Sequence, residues 1–187
     1  GQMDYNLRKA FNNLAEIAAN CAEFVNFPLD SKDIEQMMQF ETASFIGYIA
    51  GGSGEITRQD LNILAFYTGI DASFEEFADF ISENELLAGE YEYTVPQFLQ
   101  LLVQFDNILI DKGADMGAED YISLTYIQMM SGLAKEIAQE DGRVNFDREE
   151  NWDVYAKTLT NYVDENLHKT SDDKFDRFDY MEEFEIQ

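Results

Sequence analysis

Histidine and cysteine are almost missing from this chain of 187 residues. The one cysteine, Cys21, excludes an internal disulfide and any cysteine-rich zinc site. With His168 as its one histidine, the chain cannot supply the two Glu-x-x-His motifs of a ferritin-like di-metal bundle, which is thereby excluded. Basic side chains are scarce as well, with 12 Lys and Arg against 38 Asp and Glu and a net charge of −26. Binding to a phosphate backbone rests on cationic side chains that displace counterions. Nucleic acid and anionic membrane surfaces are therefore not expected as partners, whereas proteins with a basic surface are. No apolar run reaches the roughly 18 residues that a membrane span requires. No basic stretch followed by an apolar one opens the chain, so no export signal is expected and a cytoplasmic location is the expectation. Phosphate-cradling glycine loops are absent too: Gly51-Gly52-Ser53-Gly54 has no following lysine and reads as the stop of a helix.

What is present is a folding pattern. Aromatics make up 14% of the chain, far from the composition of acidic disordered segments, so the acidity sits on a folded body of about one domain. Apolar residues recur at helical spacing almost throughout. Leu7, Phe11, Leu14, Ala18, Cys21, Ala22 and Val25 form a first stripe, ended near Pro28. Ser31 is placed to cap a second helix with Ile34, Met37, Met38, Phe45 and Ile49 inward. Thr57 with Asp60, and Ser73 with Glu76, have the spacing of capping boxes that open a third and a fourth helix. Glu83 to Tyr93 reads as a polar connection. Pro96 falls in the permitted first turn of a fifth helix, whose inner face is Phe98, Leu101, Leu102, Phe105, Ile108 and Leu109. Leu99, Val103 and Ile110 add apolar surface on its other sides, the mark of a central helix. A sixth helix carries Ile122, Tyr126, Met129, Leu133 and Ile137 and ends at Gly142; a seventh carries Trp152, Tyr155, Leu159 and Val163. No segment sustains strand-like alternation, so no sheet is expected. The prediction is an all-α, single-domain bundle of about seven helices over residues 1–168, followed by an acidic aromatic segment over 169–187.

The second and third helices recur as the sixth and seventh at a constant offset of 88 residues. Ile34, Met38, Phe45 and Ile49 fall on Ile122, Tyr126, Leu133 and Ile137; Gly54 falls on Gly142, Ile56 on Val144, Thr57 on Asn145 and Tyr67 on Tyr155. Stripe, turn and cap align together, which predicts two pseudo-repeated helical hairpins. In the second turn Gly142 can take a left-handed conformation, Val144 can tuck beneath it, and Asn145 can cap the next helix.

This turn resembles that of the TerB-like (tellurite-resistance) helical family. Ile137-Ala138-Gln139-Glu140-Asp141-Gly142-Arg143-Val144-Asn145 followed by Glu149 carries the resemblance, with a weaker copy at residues 49–57 followed by Asp60. It spans about residues 31–167 and implies an all-α bundle with an acidic surface, a stress-response role without enzymatic activity, and a suggested association with metal. Ser53 stands where the family pattern has Asp, a departure that bears on any metal role of the first turn.

Four features invite a chemical reading. An EF-hand register with Gly142 at its sixth position puts Ile137 first and Arg148 twelfth, where a calcium loop needs oxygen ligands. A looser site for calcium or magnesium from Asp141, Asp147 and Glu149, with Glu140 nearby, is the metal candidate, set against simple turn formation and helix capping by the same residues. Glu41 lies on the inner stripe of the second helix; it either sits at the stripe's edge, paired with a cation, or is buried with a raised pKa. Residues 169–187 read as an amphipathic helix folded back on the body, as a disordered tail, or as a docking peptide. The functional expectation is a non-enzymatic interaction or stress-response scaffold that a divalent cation modulates, with an acidic decoy for a DNA-binding or otherwise basic protein as the alternative.

Overall fold

Intervals of three and four between Leu7, Phe11, Leu14, Ala18 and Ala22 give α1 (Tyr5–Phe24) one apolar face, and all five side chains are buried. The computed structural model describes residues 3–51, 55–84 and 94–168. Six more α-helices follow: α2 (Ser31–Ala50), α3 (Arg58–Thr68), α4 (Phe74–Glu83), α5 (Gln97–Asp111), α6 (Ile122–Ile137) and α7 (Phe146–Asn166). The chain is all-α, as the spacing predicts. Ser53 and Gly54 of the first repeated turn, most of the polar connection, and residues 169–187 lie outside the described residues.

Local chemistry sets the helix starts. The reciprocal boxes of Thr57 with Asp60 and of Ser73 with Glu76 both form. At α2 the cap is Asp30 and not Ser31: Asp30 accepts from the Asp33 N–H at 2.9 Å, and Asp33 accepts from the Asp30 N–H at 3.0 Å. Two carboxylates three residues apart satisfy two N–H groups at once, which leaves Ser31 inside the first turn. Pro96 is likewise one position outside α5 and offers no side-chain cap.

The second turn departs most from expectation. α6 stops at Ile137, before Gly142 is reached, and a two-residue antiparallel ladder follows, pairing Gln139 (β1, Gln139–Glu140) with Val144 (β2, Arg143–Val144). Asp141 and Gly142 between them both have positive φ, 50° and 77°. Asp-Gly at the centre of a two-residue hairpin is the preferred composition for such a turn, because both central residues must take left-handed backbone. Gly142 therefore closes a hairpin rather than ending a helix. Val144 points largely to solvent, 43% exposed, instead of tucking beneath the turn.

The hub of the bundle is the second half of α2. Every residue from Glu41 to Ala50 is buried, and α2 packs on each of the other six helices. Ala43, Ser44, Gly47 and Ala50 are small enough to let neighbours close in on several sides at interior packing density. α5 is also wrapped, with Leu99 and Val103 buried along with its predicted inner face as far as Phe105. Ile108 and Leu109, by contrast, are only partly buried, and Asp106 takes the interior position before them. Among the described residues no helix is long and apolar enough to cross a membrane.

Candidate functional site

The residues singled out as cation ligands are Asp141 in the hairpin turn and Asp147 and Glu149 in the first turn of α7, and all three are exposed. Among the described residues no group of three or more His, Cys, Asp or Glu side chains gathers closely enough to hold a metal ion. Local capping is in place in this region: Asn145 accepts from the Arg148 N–H at 3.1 Å, and Asp147 and Glu149 lie where the positive end of the α7 dipole favours them.

The largest fully buried side chain in the turn's neighbourhood is Arg148, which the sequence presents only as a misfit in a calcium loop. Its guanidinium meets Asp60 in a two-pronged ion pair, with N–O distances of 2.7 and 2.9 Å. It also donates to the carbonyls of Ile137 at 2.8 Å and Glu55 at 3.0 Å. Asp60 keeps its own role in the α3 cap, accepting from the Thr57 N–H at 2.8 Å. Arginine suits such a place, since its planar fork matches a carboxylate and stays charged when buried. The pair joins the start of α3 to the start of α7.

Positions 60 and 148 are 88 apart, the offset found in the sequence. A second relation has the same form. Tyr67 on α3 donates to Glu136 on α6, while Tyr155 on α7 packs on Tyr48 of α2 with ring centroids 4.7 Å apart. Adding 88 to 67 and to 48 gives 155 and 136, so the two pairs are each other's counterparts with partners exchanged.

Two further carboxylates cap helices to which they do not belong. Glu41 is buried, 7% exposed, and accepts from the backbone N–H groups of Gln97 and Phe98, supplying the cap that Pro96 lacks. Among the described residues it pairs with no cation, and it does not sit at the stripe's edge. Burial raises its pKa, and the two backbone hydrogen bonds offset part of that rise. Asp106, fully buried on α5, accepts from Ile122 N–H at 3.1 Å, Ser123 N–H at 3.0 Å and Ser123 Oγ at 2.6 Å, and so caps α6. Burial outweighs these hydrogen bonds and pushes its pKa up to about 6. Burial also raises the Cys21 thiol, with the Asp106 charge adding to the rise; Cys21 is half-buried. At a partly buried cluster between α1, α3 and α6 the Asp4 N–H donates to Tyr67 Oη at 2.9 Å and to Glu136 at 3.2 Å. Burial and the Glu136 carboxylate hold the Tyr67 hydroxyl in its protonated form, and burial raises Glu136. His168, beyond α7, pairs with Asp111 at 3.0 Å on the exposed surface.

Three adjoining depressions around α2 share one electrostatic character. A groove of about 670 Å³ runs between α2 and the start of α5, past Met37, Phe40, Val95 and Pro96, with Asp33 and Glu41 among its polar groups. A cleft at the α1–α2 turn shares Leu29 with it and contains Glu23 and Asp30. That cleft in turn shares Ala19, Asn20 and Ser31 with one of about 340 Å³ containing Glu16 and Glu35. None of the described residues lining these three is a lysine or an arginine. No signal in the periodicity pointed to the groove, because Phe40 falls outside the apolar stripe of α2 and is 51% exposed. No protein family, curated protein or solved structure compared with this chain matches it.

Proposed function

We propose that this chain is a non-enzymatic acidic helical protein that acts by binding a protein with a basic surface, in the manner the TerB-like resemblance suggests for an interaction scaffold. The observation that carries this reading is the charge imbalance of −26 on a packed body. Part of the small cationic complement is also turned inward or laid flat. Arg148 is buried against Asp60, and Arg8, Arg58 and Lys112 lie over the rings of Phe66, Phe74 and Phe24. A cation over an aromatic face is held close to its own surface, which leaves the field dominated by carboxylates. Such a field steers basic partners and repels nucleic acid. The buried ionisable groups support the same reading: Asp60, Arg148, Glu41 and Asp106 all bind helix ends or one another.

Affinity capture on the immobilised chain, repeated at low and high salt, tests this. The expected result is a discrete partner of basic isoelectric point that survives about 0.5 M salt, where exposed charges are screened within a few ångströms. Recovery of only a mixed population of basic proteins that washes off with salt, or of acidic partners, would contradict it.

A further inference from the structure

We infer that the groove between α2 and the start of α5 is the docking site for a basic amphipathic helix of the partner, which places an apolar side chain against Phe40 and its lysines or arginines toward the flanking carboxylates. This rests on the reading above and gives it a place. Phe40 is half exposed and stands edge-on to Phe80 with centroids 5.1 Å apart, so its ring is fixed on one side and open on the other. Met37 and Val95 are half-buried, and with Pro96 they complete an apolar floor. A flexible thioether beside a rigid ring adapts to varied apolar side chains. An apolar floor would suit many occupants; the charge around it selects one. Among its described lining residues the groove offers the half-buried Asp33 and no Lys or Arg, with Glu41 beneath it turned to the start of α5, and the adjoining clefts extend the same sign through Glu23 and Asp30 to Glu16 and Glu35. An acidic or neutral helix would bring no compensating charge to this track, whereas a basic one places cations along its whole length. Asp30 is held in its ionised form by the backbone N–H groups at the start of α2, led by that of Asp33, with the neighbouring Lys32 charge adding to the effect. Laying an apolar helix face in a groove, with charges at the rim, is a recurrent mode of peptide recognition.

The test is fluorescence anisotropy with three labelled synthetic helices of equal length: one of leucine and lysine, one of serine and lysine with the same charge, and one of leucine and glutamate. The full chain should bind the leucine–lysine helix at least about tenfold more tightly than the serine–lysine helix and ignore the leucine–glutamate helix. Phe40→Ser should weaken the first by about tenfold, and Val154→Ser, on the exposed side of α7, should leave it unchanged. Should Phe40→Ser disturb the melting transition through the loss of Phe80 contact, Val95→Ser carries the same expectation. Equal affinity for the two lysine helices, or indifference to both groove variants, overturns the docking site and leaves the basic-partner reading standing. Failure of both lysine helices to bind overturns both. A concentration-dependent dimer of the chain that Phe40→Ser abolishes would assign the groove to a second copy and overturn the proposal.

Discussion

Replacing Arg148 by methionine is expected to destabilise the chain by about 3–5 kcal/mol, read as a drop in the urea midpoint at constant slope. Methionine keeps much of the arginine's length and volume, so the loss is one of charge and hydrogen bonds rather than packing. It leaves the Asp60 carboxylate 2% exposed with no cation, and the carbonyls of Ile137 and Glu55 without their donor. An unpaired buried charge is among the few single lesions of that size. Removing Asp60 at the same time should recover much of the loss. In Asp60→Leu with Arg148→Met both charges are gone, and apolar pairs of similar volume often match buried ion pairs in stability. The recovery will be incomplete, because Asp60 also accepts from Thr57 at the α3 cap, which is worth about 1 kcal/mol. A methionine variant as stable as the parent would show that the pair contributes nothing to holding α3 against α7.

The second large effect is with pH, and its direction runs against the common acid lability of proteins. The Asp106 pKa rises from 3.8 to about 6 on folding. Between those values the folded chain holds a proton that the unfolded chain has released. Stability therefore falls as pH rises from about 4 to about 6 and is level above that. Two pKa units on a fully buried carboxylate correspond to about 2–3 kcal/mol. The groups facing Asp106 are the Ile122 and Ser123 amides, the Ser123 hydroxyl and the Cys21 thiol, and no Lys or Arg is among its causes of shift. Glu41 and Glu136, also raised by burial, act in the same direction. So does relief of repulsion among the outer carboxylates. Asp30, whose pKa is lowered, acts oppositely and only at the acid end. Asp106→Asn isolates the main contribution. It retains one acceptor for the α6 cap and removes the titration, so the gain in stability between pH 6 and pH 4 should shrink by about 2 kcal/mol in the variant. Equal pH profiles for the variant and the parent would remove Asp106 from the account.

The difference between what was legible and what was not follows from range. Thr57 with Asp60 and Ser73 with Glu76 act within four residues, and both boxes stand as read. The Asp30–Asp33 box is just as local and was missed by one position, since Ser31 is also a good cap by type. Asp141-Gly142 is a strong hairpin signal, overlooked because glycine after an apolar stripe is equally the mark of a helix end. Glu41 and Asp106 could be placed on inner faces by their spacing from Met38 and Leu102, but whose N–H groups they would meet depends on which helix starts pack against them. Arg148 is the sharpest case. Nothing adjacent to it announces a buried ion pair, and only the offset of 88 links it to Asp60. The groove was hidden for a related reason: it forms where α2 passes the start of α5, two elements distant in the chain that share no motif.

The central claim, a packed acidic body that receives a basic helix at one face, is tested most directly by amide chemical-shift mapping of the isotope-labelled full chain titrated with the leucine–lysine helix. Shifts confined to the neighbourhood of Met37, Phe40, Val95 and Gln97, with little change along Val154 and Lys157 of α7, are the predicted result. Small changes spread evenly over the carboxylate-bearing surface, or a perturbed set centred on α7, would contradict it.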